Sequence, residues 1–168
     1  MAVAKTRRKP VVDADAAERA AAYVLEGQVG FLLRCAHQKA SEDFNAVMGR
    51  FQVTPTQFAA LAKLDDLGSE SQNQLGRLTR MDPATISGVV GRLIGRGFVR
   101  QSPDARDARL VLLALTPAGR KLLARALPVW KLHHKRLEKH LKAPGTLRAD
   151  LAVLAGVDAP IAAGPAGL

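Results

Sequence analysis

The chain has 168 residues, a formal net charge of +10 and one cysteine, and 48% of its residues are hydrophobic while 24% are charged. These values are typical of one globular domain with a well-filled core. The positive charge favours a polyanionic partner such as nucleic acid. No apolar run reaches the ~18 residues of a membrane helix, and the charged N-terminus lacks the apolar segment of a secretory signal. Because the chain has neither feature, we expect no membrane partner. A single cysteine excludes an internal disulfide, which favours a cytoplasmic protein.

The N-terminal part of the chain predicts a tail followed by one long helix. Residues 1–12 are basic and aperiodic and are expected to be disordered. Residues 13–50 predict a helix that runs from Asp13 to about Met48, before Gly49. Its apolar stripe is broad: Val24, Leu25, Phe31, Leu32, Cys35 and Ala36. Because a small core cannot cover so much apolar surface, we predict that this helix dimerises.

Three cap sequences mark the starts of helices in the central region. Thr54-Pro55-Thr56-Gln57 and Ser71-Gln72-Asn73-Gln74 have the spacing of capping boxes, and Asp82-Pro83 places an acceptor before a first-turn proline. The second helix is expected to bury Leu75 and Leu78. The third shows the clearest helical period, with apolar residues on one face: Ile86, Val89, Val90, Leu93 and Ile94.

The other face of the third helix is small and polar, and it carries one long cation. Its residues are Thr85, Ser87, Gly88, Gly91 and Arg92. A face of this kind can approach base edges in the major groove. Two strand patterns follow, at residues 98–100 and 110–115, with a turn between them. Together these features predict a winged helix-turn-helix that binds double-stranded DNA.

The charge of this region supports the same interpretation. Between Ser71 and Arg109 there are seven arginines, three aspartates and no lysine. Arginine suits bidentate phosphate contacts and insertion into narrow minor grooves. Residues 51–116 are therefore the predicted DNA-binding domain.

Two helices are predicted after the wing. Thr116-Pro117 caps a long helix that runs to about Leu141, and Thr146 is the predicted cap of a final helix. We assign residues 117–157 to C-terminal dimerisation helices. Residues 158–168 are expected to be a flexible tail.

A short motif in the wing resembles a known family. Asp107-Ala108-Arg109, followed after five residues by Leu115-Thr116 and then Pro117-Ala118-Gly119, is similar to the D-x-R-x5-L-T signature of the MarR family of regulators. The resemblance extends from about Val24 to Leu141. It implies a mainly α fold with a small β-wing, a winged helix-turn-helix in an intertwined homodimer. Such a dimer reads a pseudo-palindromic operator with half-sites roughly 10 bp apart.

The resemblance also implies roles for individual residues of the wing. Arg109 takes the place of the minor-groove arginine, Asp107 that of the carboxylate that orients it, and Arg106 is an additional wing cation. On the predicted recognition helix, Thr85, Ser87 and Gly88 face the bases. Phosphate contacts or plain surface charges are the expected roles of two further arginines, Arg77 and Arg92.

Family members release DNA when a small molecule binds between the dimerisation helices and the winged lobe. Polar residues inside the first helix are the candidates for such a site here: Arg34, His37 and Gln38. Surface or intersubunit pairing is the alternative for these three side chains. The opening at residues 23–34 is similar to that of regulators of aromatic-acid degradation. It favours a repressor whose effector is an aromatic acid or its CoA thioester.

Other functions stay open at this point. One MarR branch senses peroxides through a first-helix cysteine, but the matching position here is Gly30, so Cys35 is expected to be a packing residue. An effector-independent DNA-binding protein is a further alternative. The four histidines lack metal-site spacing, and no nucleophile and base form a pair in the sequence. We therefore expect no metal, no cofactor and no enzymatic activity.

Overall fold

The computed structural model describes residues 23–105, 107 and 109–157. They form two units whose boundary in the sequence lies between Asp43 and Phe44. The predicted tails at residues 1–12 and 158–168 lie outside the described residues. In chain order the helices and strands are α1 (Val29–Met48), α2 (Pro55–Leu67), β1 (Ser69–Ser71), α3 (Gln72–Leu78), α4 (Pro83–Gly95), β2 (Val99–Pro103), β3 (Val111–Leu115), α5 (Pro117–Glu138) and α6 (Pro144–Ala155). Within these residues, no helix is both long enough and apolar enough to cross a bilayer.

The first helix is shorter than the sequence predicts. Val24 and Gln28 have extended backbone angles and flank a single 3-10 turn, so α1 begins at Val29 and not at Asp13. Glycine is a poor helix former, and Gly27 lies directly before this boundary. The part of the predicted helix before residue 23 lies outside the described residues. Four apolar side chains of this segment are more than half exposed: Tyr23, Val24, Val29 and Leu32.

The core of the second unit is built on α2, α3 and α4. The predicted buried face of α4 is confirmed, because its four central apolar side chains are at most 2% exposed. The prediction that Leu78 is buried is wrong, since this side chain is 42% exposed. A Cβ at Gly76 would lie 3.2 Å from Cγ2 of Ile86, so α3 packs closely on α4 through Gly76. The buried face of α3 is therefore centred between Leu75 and Gly76, and Leu78 lies to one side of it.

A three-stranded antiparallel sheet has the order β1-β3-β2. The wing strands pair in the register Val99↔Leu115 to Pro103↔Val111, so β2 is longer than predicted. Strand β1 was not predicted, because Ser-Glu-Ser lacks the alternating apolar pattern of a strand. It forms because β3 has a second edge, on which Ser69 pairs with Ala114.

The C-terminal helices differ from the prediction at their ends. Helix α5 ends at Glu138, before Leu141. Helix α6 begins at Pro144, and its N-cap is Ala143, which has no side-chain acceptor, so the predicted Thr146 cap is wrong. Proline fits the first helical position because its φ is already helical and it has no N–H to satisfy. Helix α6 has several exposed apolar side chains: Leu147, Leu151, Val153 and Leu154.

One junction joins the end of β3 to the turn after α4. The Thr116 hydroxyl donates to the carbonyl oxygen of Gly97 at 2.6 Å, and the Thr116 N–H donates to that of Phe98 at 3.0 Å. The same hydroxyl accepts from the N–H of Gly119 at 3.1 Å and caps α5. A Cβ at Gly119 would lie 2.1 Å from the Phe98 oxygen, so only glycine fits here.

Gly119→Ala is expected to destabilise the fold by about 1–3 kcal/mol, because the backbone of the junction must move to admit the methyl group. Urea unfolding followed by circular dichroism measures the change. Gly91→Ala is the matched control, since nothing lies within 4 Å of a Cβ there. The control is expected to stabilise the chain by up to about 1 kcal/mol through helix propensity. Equal unfolding midpoints for the two variants would contradict this account of Gly119.

Candidate nucleic-acid interface and ligand cleft

The N-terminus of α4 is held by a charged cap. One oxygen of Asp82 accepts from the Thr85 N–H at 2.9 Å, and the other accepts from the Thr85 hydroxyl at 2.5 Å. The bond from the Thr85 hydroxyl, followed by that from its N–H, lowers the pKa of Asp82. Thr85 was predicted to face the bases, but its hydroxyl is bonded to the cap. Its side chain therefore fixes the start of the helix.

The rest of the small face of α4 is accessible. Ser87, Gly91 and Arg92 are exposed and Gly88 is half-buried. The guanidinium of Arg92 lies close to Gly88, with Nη2 3.5 Å from the position that a Cβ would take there. Gly91 has no neighbour within 4 Å of such a position. The helix thus has a low surface with one cation lying across it, which matches the shape that a major groove admits.

The wing is closed by hydrogen bonds to two aspartates. The N–H of Asp107 donates to Asp104 at 3.0 Å, and the N–H of Arg109 donates to Asp107 at 2.9 Å. Asp107 thus fixes the backbone of Arg109, as in an Asx-turn. Among the described residues, the exposed guanidinium of Arg109 has no acceptor. Arg106 lies outside the described residues.

The arginines of this region fall into two groups. The side chain of Arg80 donates to the carbonyl oxygen of Gly156, and that of Arg96 donates to the carbonyl oxygen of Gln52. Arg96 also lies 4.7 Å from the centroid of the Phe98 ring. These two cations join distant segments of the second unit. Between Ser71 and Arg109, the exposed arginines that have no acceptor among the described residues are Arg77, Arg92, Arg100 and Arg109.

The predicted effector residues lie at the surface of α1. Arg34, His37 and Gln38 are exposed. Arg34 contacts Cys35 Sγ at 3.5 Å, and Gln38 donates to Glu42 at 3.2 Å. Cys35 itself is half-buried. The role of the three polar residues in binding a ligand stays a prediction.

A cleft that the sequence did not reveal lies between α2, α5 and α6. Its volume is about 650 Å³. Phe58 and Trp130 form its aromatic wall, with ring centroids 6.3 Å apart. Its basic side chains come from α5 and α6: Lys131, His134, Lys135 and Arg148. The helical spacing of Trp130, Lys131, His134 and Lys135 places them on one side of α5, but only the fold brings Phe58 and Arg148 to them.

One carboxylate lies among these basic groups. An oxygen of Glu138 accepts from Arg148 and lies 3.4 Å from Nε2 of His134. In the described part of the chain, Lys131 and Lys135 have no ion-pair partner. These two ammonium groups are therefore available for an anionic ligand. The described residues contain no group of three metal-ligating side chains.

Comparison with known proteins agrees with the geometry of the winged lobe. The sequence pattern of the MarR family matches residues 53–111. The HTH-type transcriptional repressor NicR of Pseudomonas putida is 42% identical over 106 residues, which are 63% of this chain and 67% of that protein. The chain belongs to the MarR family. It is a MarR-family transcriptional repressor, and its relatives are regulators and not enzymes.

Two solved structures of similar proteins have the same winged-helix fold as this MarR-family chain. A probable transcriptional regulator from Pseudomonas aeruginosa is 44% identical with a TM-score of 0.74, covering 78% of this chain and 99% of that one. BpsR of Bordetella bronchiseptica is 32% identical with a TM-score of 0.73, covering 82% of this chain and 99% of that one. The BpsR structure concerns the mechanism by which 6-hydroxynicotinic acid regulates the DNA binding of that protein.

The cap of α4 predicts a pH dependence of stability. Because the pKa of Asp82 is lower in the folded chain, its charged cap stabilises the fold fully above the unfolded-state pKa of about 4. This contribution is lost as the pH falls through the folded-state pKa. The difference in unfolding free energy between the wild type and Asp82→Asn is therefore expected to be largest near neutral pH and to shrink below about pH 4.

Urea unfolding at a series of pH values measures this difference. Thr85→Val is the second variant, because it removes the hydroxyl bond that contributes most to the lowered pKa. In that background the pH dependence of the Asp82→Asn effect is expected to be weaker. A difference that stays constant from neutral pH to about pH 3 would show that the charge of Asp82 does not stabilise the fold.

Proposed function

We propose that this protein is a homodimeric repressor that binds a pseudo-palindromic operator through α4 and the wing and is released by an aromatic carboxylic acid. The observation that carries the DNA-binding part is the combination of two features. One is a capped helix with an exposed face of small residues, and the other is Arg109 in the wing, whose guanidinium has no acceptor among the described residues.

The DNA contacts are proposed from the exposed groups. Ser87, Gly88 and Arg92 face the major groove, and Arg109 enters the neighbouring minor groove, where narrow tracts concentrate negative potential. Arg77 and Arg100 are exposed and neutralise phosphates. Arg106 lies outside the described residues and is proposed for the same role from its position in the sequence. Thr85 and Asp107 act through the backbone, because each fixes a segment that carries a contacting side chain. The net charge of +10 adds a long-range attraction to DNA.

A second copy of the chain is proposed to cover the exposed apolar residues near both ends of the sequence. Val29 is 63% exposed in the first unit, and Val153 and Leu154 in α6 are 83% and 60% exposed. A monomer would leave these side chains in water, at about 25 cal/mol for each Å². Helix-turn-helix dimers bind half-sites about one helical turn apart, which explains the expected symmetry of the operator.

The cleft on α5 is the proposed ligand site. Its volume lies within the roughly 300–1,000 Å³ of small-molecule pockets. Phe58 and Trp130 offer faces for an aromatic ring, and Lys131 and Lys135 offer ammonium groups for a carboxylate. The similarity to BpsR suggests 6-hydroxynicotinic acid as the first compound to test. A CoA thioester of an aromatic acid is the alternative ligand.

Release of DNA follows from differential affinity for two conformations. The lining residues come from α2, α5 and α6, so a ligand that contacts all three favours one arrangement of these helices. If that arrangement separates the two α4 helices by a distance that does not fit successive grooves, binding of ligand and DNA oppose each other. Each tenfold loss in DNA affinity then requires about 1.4 kcal/mol of coupling.

Arg109→Ala is expected to weaken operator binding about tenfold to a hundredfold, because one wing contact in each subunit is lost. The probe is a duplex that the wild-type protein selects from a random 24-bp library, and mobility shift at fixed salt gives the affinity. Arg136→Ala, which removes the same charge from α5, is the control and is expected to change affinity less than threefold. Equal losses of affinity for both variants would show that Arg109 contributes only non-specific charge and would contradict its assignment to the minor groove.

The ligand site is tested by calorimetry and by release of the selected duplex. We expect 6-hydroxynicotinate to bind the dimer and to weaken DNA binding at least tenfold. Lys135→Glu is expected to abolish the response because it repels the carboxylate, while Lys139→Glu, outside the cleft, and Cys35→Ser keep it. A response lost in Cys35→Ser, or one indifferent to Lys135→Glu, would contradict the proposed site without affecting the assignment of α4 and the wing.

A further inference from the structure

We propose that Arg92 reads a guanine in each half of the operator and that Gly88 is the residue that positions its guanidinium. The inference rests on the proposed docking of α4 in the major groove. It replaces the expectation from the sequence that Arg92 contacts phosphate. The observation behind it is the juxtaposition of one long cation and one glycine, four residues apart, on the accessible face of α4.

The guanidinium of Arg92 lies over Gly88. Measured from the position that a Cβ at Gly88 would occupy, Nη2 is at 3.5 Å, Nη1 at 3.6 Å and Cζ at 3.8 Å. These distances place the end of the guanidinium in van der Waals contact with the position of a Cβ at Gly88. A side chain longer than alanine at this position would occupy the same space.

This position brings the cation toward the N-terminal half of the helix. Side chains on a helix point toward its N-terminus. The backbone of Arg92 is in the third turn of α4, and its guanidinium therefore lies beside the second turn. The N-terminal residues of a recognition helix are those that contact base edges. An arginine that served the phosphate backbone would instead extend sideways, away from the groove axis.

The neighbouring residues leave the donor role to Arg92. The Thr85 hydroxyl is bonded to Asp82, Ser87 is short, and Gly91 has no side chain. Arg92 has no carboxylate partner among the described residues, so its donors are free to bind a base. The pair of acceptors that matches a guanidinium in the major groove is O6 and N7 of guanine. We therefore expect one guanine per half-site.

Gly88 lies in the middle of α4, although glycine is a poor helix former. The space that it leaves for the Arg92 guanidinium accounts for its presence there. Alanine at position 88 would make only an ordinary contact with Arg92, so a larger side chain is needed to displace the guanidinium. Gly88→Gln is therefore the informative change. Gly95→Gln is its matched control, because it adds the same bulk at the last residue of α4, where nothing lies within 4 Å of a Cβ.

The experiment uses the duplex selected by the full-length wild-type protein and a set of duplexes with each base pair replaced in turn. Arg92→Ala is expected to abolish discrimination at one guanine in each half-site, a loss of about tenfold to a hundredfold there, and to leave the preferences at other positions unchanged. Replacing that guanine by 7-deazaguanine, which lacks the N7 acceptor, is expected to weaken wild-type binding and not to affect Arg92→Ala.

A different result identifies a phosphate contact and overturns the inference. In that case Arg92→Ala weakens binding to all duplexes by one factor and does not alter the effect of 7-deazaguanine. It also lowers the slope of log affinity against log salt by about 2, because one phosphate contact is lost in each subunit. Arg109→Ala separates this outcome from failure of the proposed function. If Arg109→Ala weakens binding while Arg92→Ala changes discrimination at no guanine, only this inference is wrong. If the wild type selects no duplex, both the function and this inference are wrong.

The positioning role of Gly88 has its own test. Gly88→Gln is expected to reproduce the loss of discrimination at the same guanine, and the double variant with Arg92→Ala is expected to lose little more than either single variant. Gly95→Gln is expected to keep the preference for that guanine. Circular dichroism and urea unfolding confirm that each variant is folded. If the effects of Gly88→Gln and Arg92→Ala multiply, or if Gly95→Gln loses the same preference, the positioning role is wrong.

Discussion

The carbonyl oxygen of Phe98 connects the three parts of the winged lobe. It accepts from the Thr116 N–H, and it lies so close to Gly119 that no side chain fits between them. Phe98 follows α4, Thr116 ends β3 and caps α5, and so the recognition helix, the wing and the long helix share one rigid junction. Any movement of the N-terminal end of α5 must therefore move the wing and α4 as one body. Under the proposed function, a ligand bound along α5 therefore changes the position of the DNA-binding surface and leaves its internal geometry unchanged.

Two arginines of the winged lobe also contribute to its rigidity. Arg80 donates a hydrogen bond to the backbone oxygen of Gly156, and Arg96 donates one to that of Gln52. These acceptors lie 76 and 44 residues away in the sequence. Arg80 also has a positive φ of 54°, an uncommon backbone conformation for a residue with a side chain, in the turn between α3 and α4. A basic segment is therefore not uniformly a DNA-binding surface. Part of its charge holds the surface in shape, and part is left for the nucleic acid.

Features set by neighbouring residues could be predicted from the sequence, whereas features set by distant ones could not. The caps at Thr54 and Asp82 and the buried face of α4 were predicted correctly, because each depends on residues within one or two turns. The strand at residues 69–71 was missed because it owes its existence to the edge of β3, and Leu78 was misplaced because the packing of α3 is decided by α4. The cleft was missed for the same reason, since Phe58 and Arg148 meet only in the folded chain.

The aromatic wall of that cleft has a practical consequence. Trp130 is the single tryptophan of the protein, and its ring lies 5.0 Å from that of Phe44 and 6.3 Å from that of Phe58. The ring of His133 is 5.6 Å away on the same helix. Tryptophan fluorescence from this chain therefore originates at one place, the cleft between α2, α5 and α6, and not at α4 or the wing. The protein thus carries an intrinsic fluorophore at the proposed ligand site, so a titration with a candidate ligand can be followed without any label.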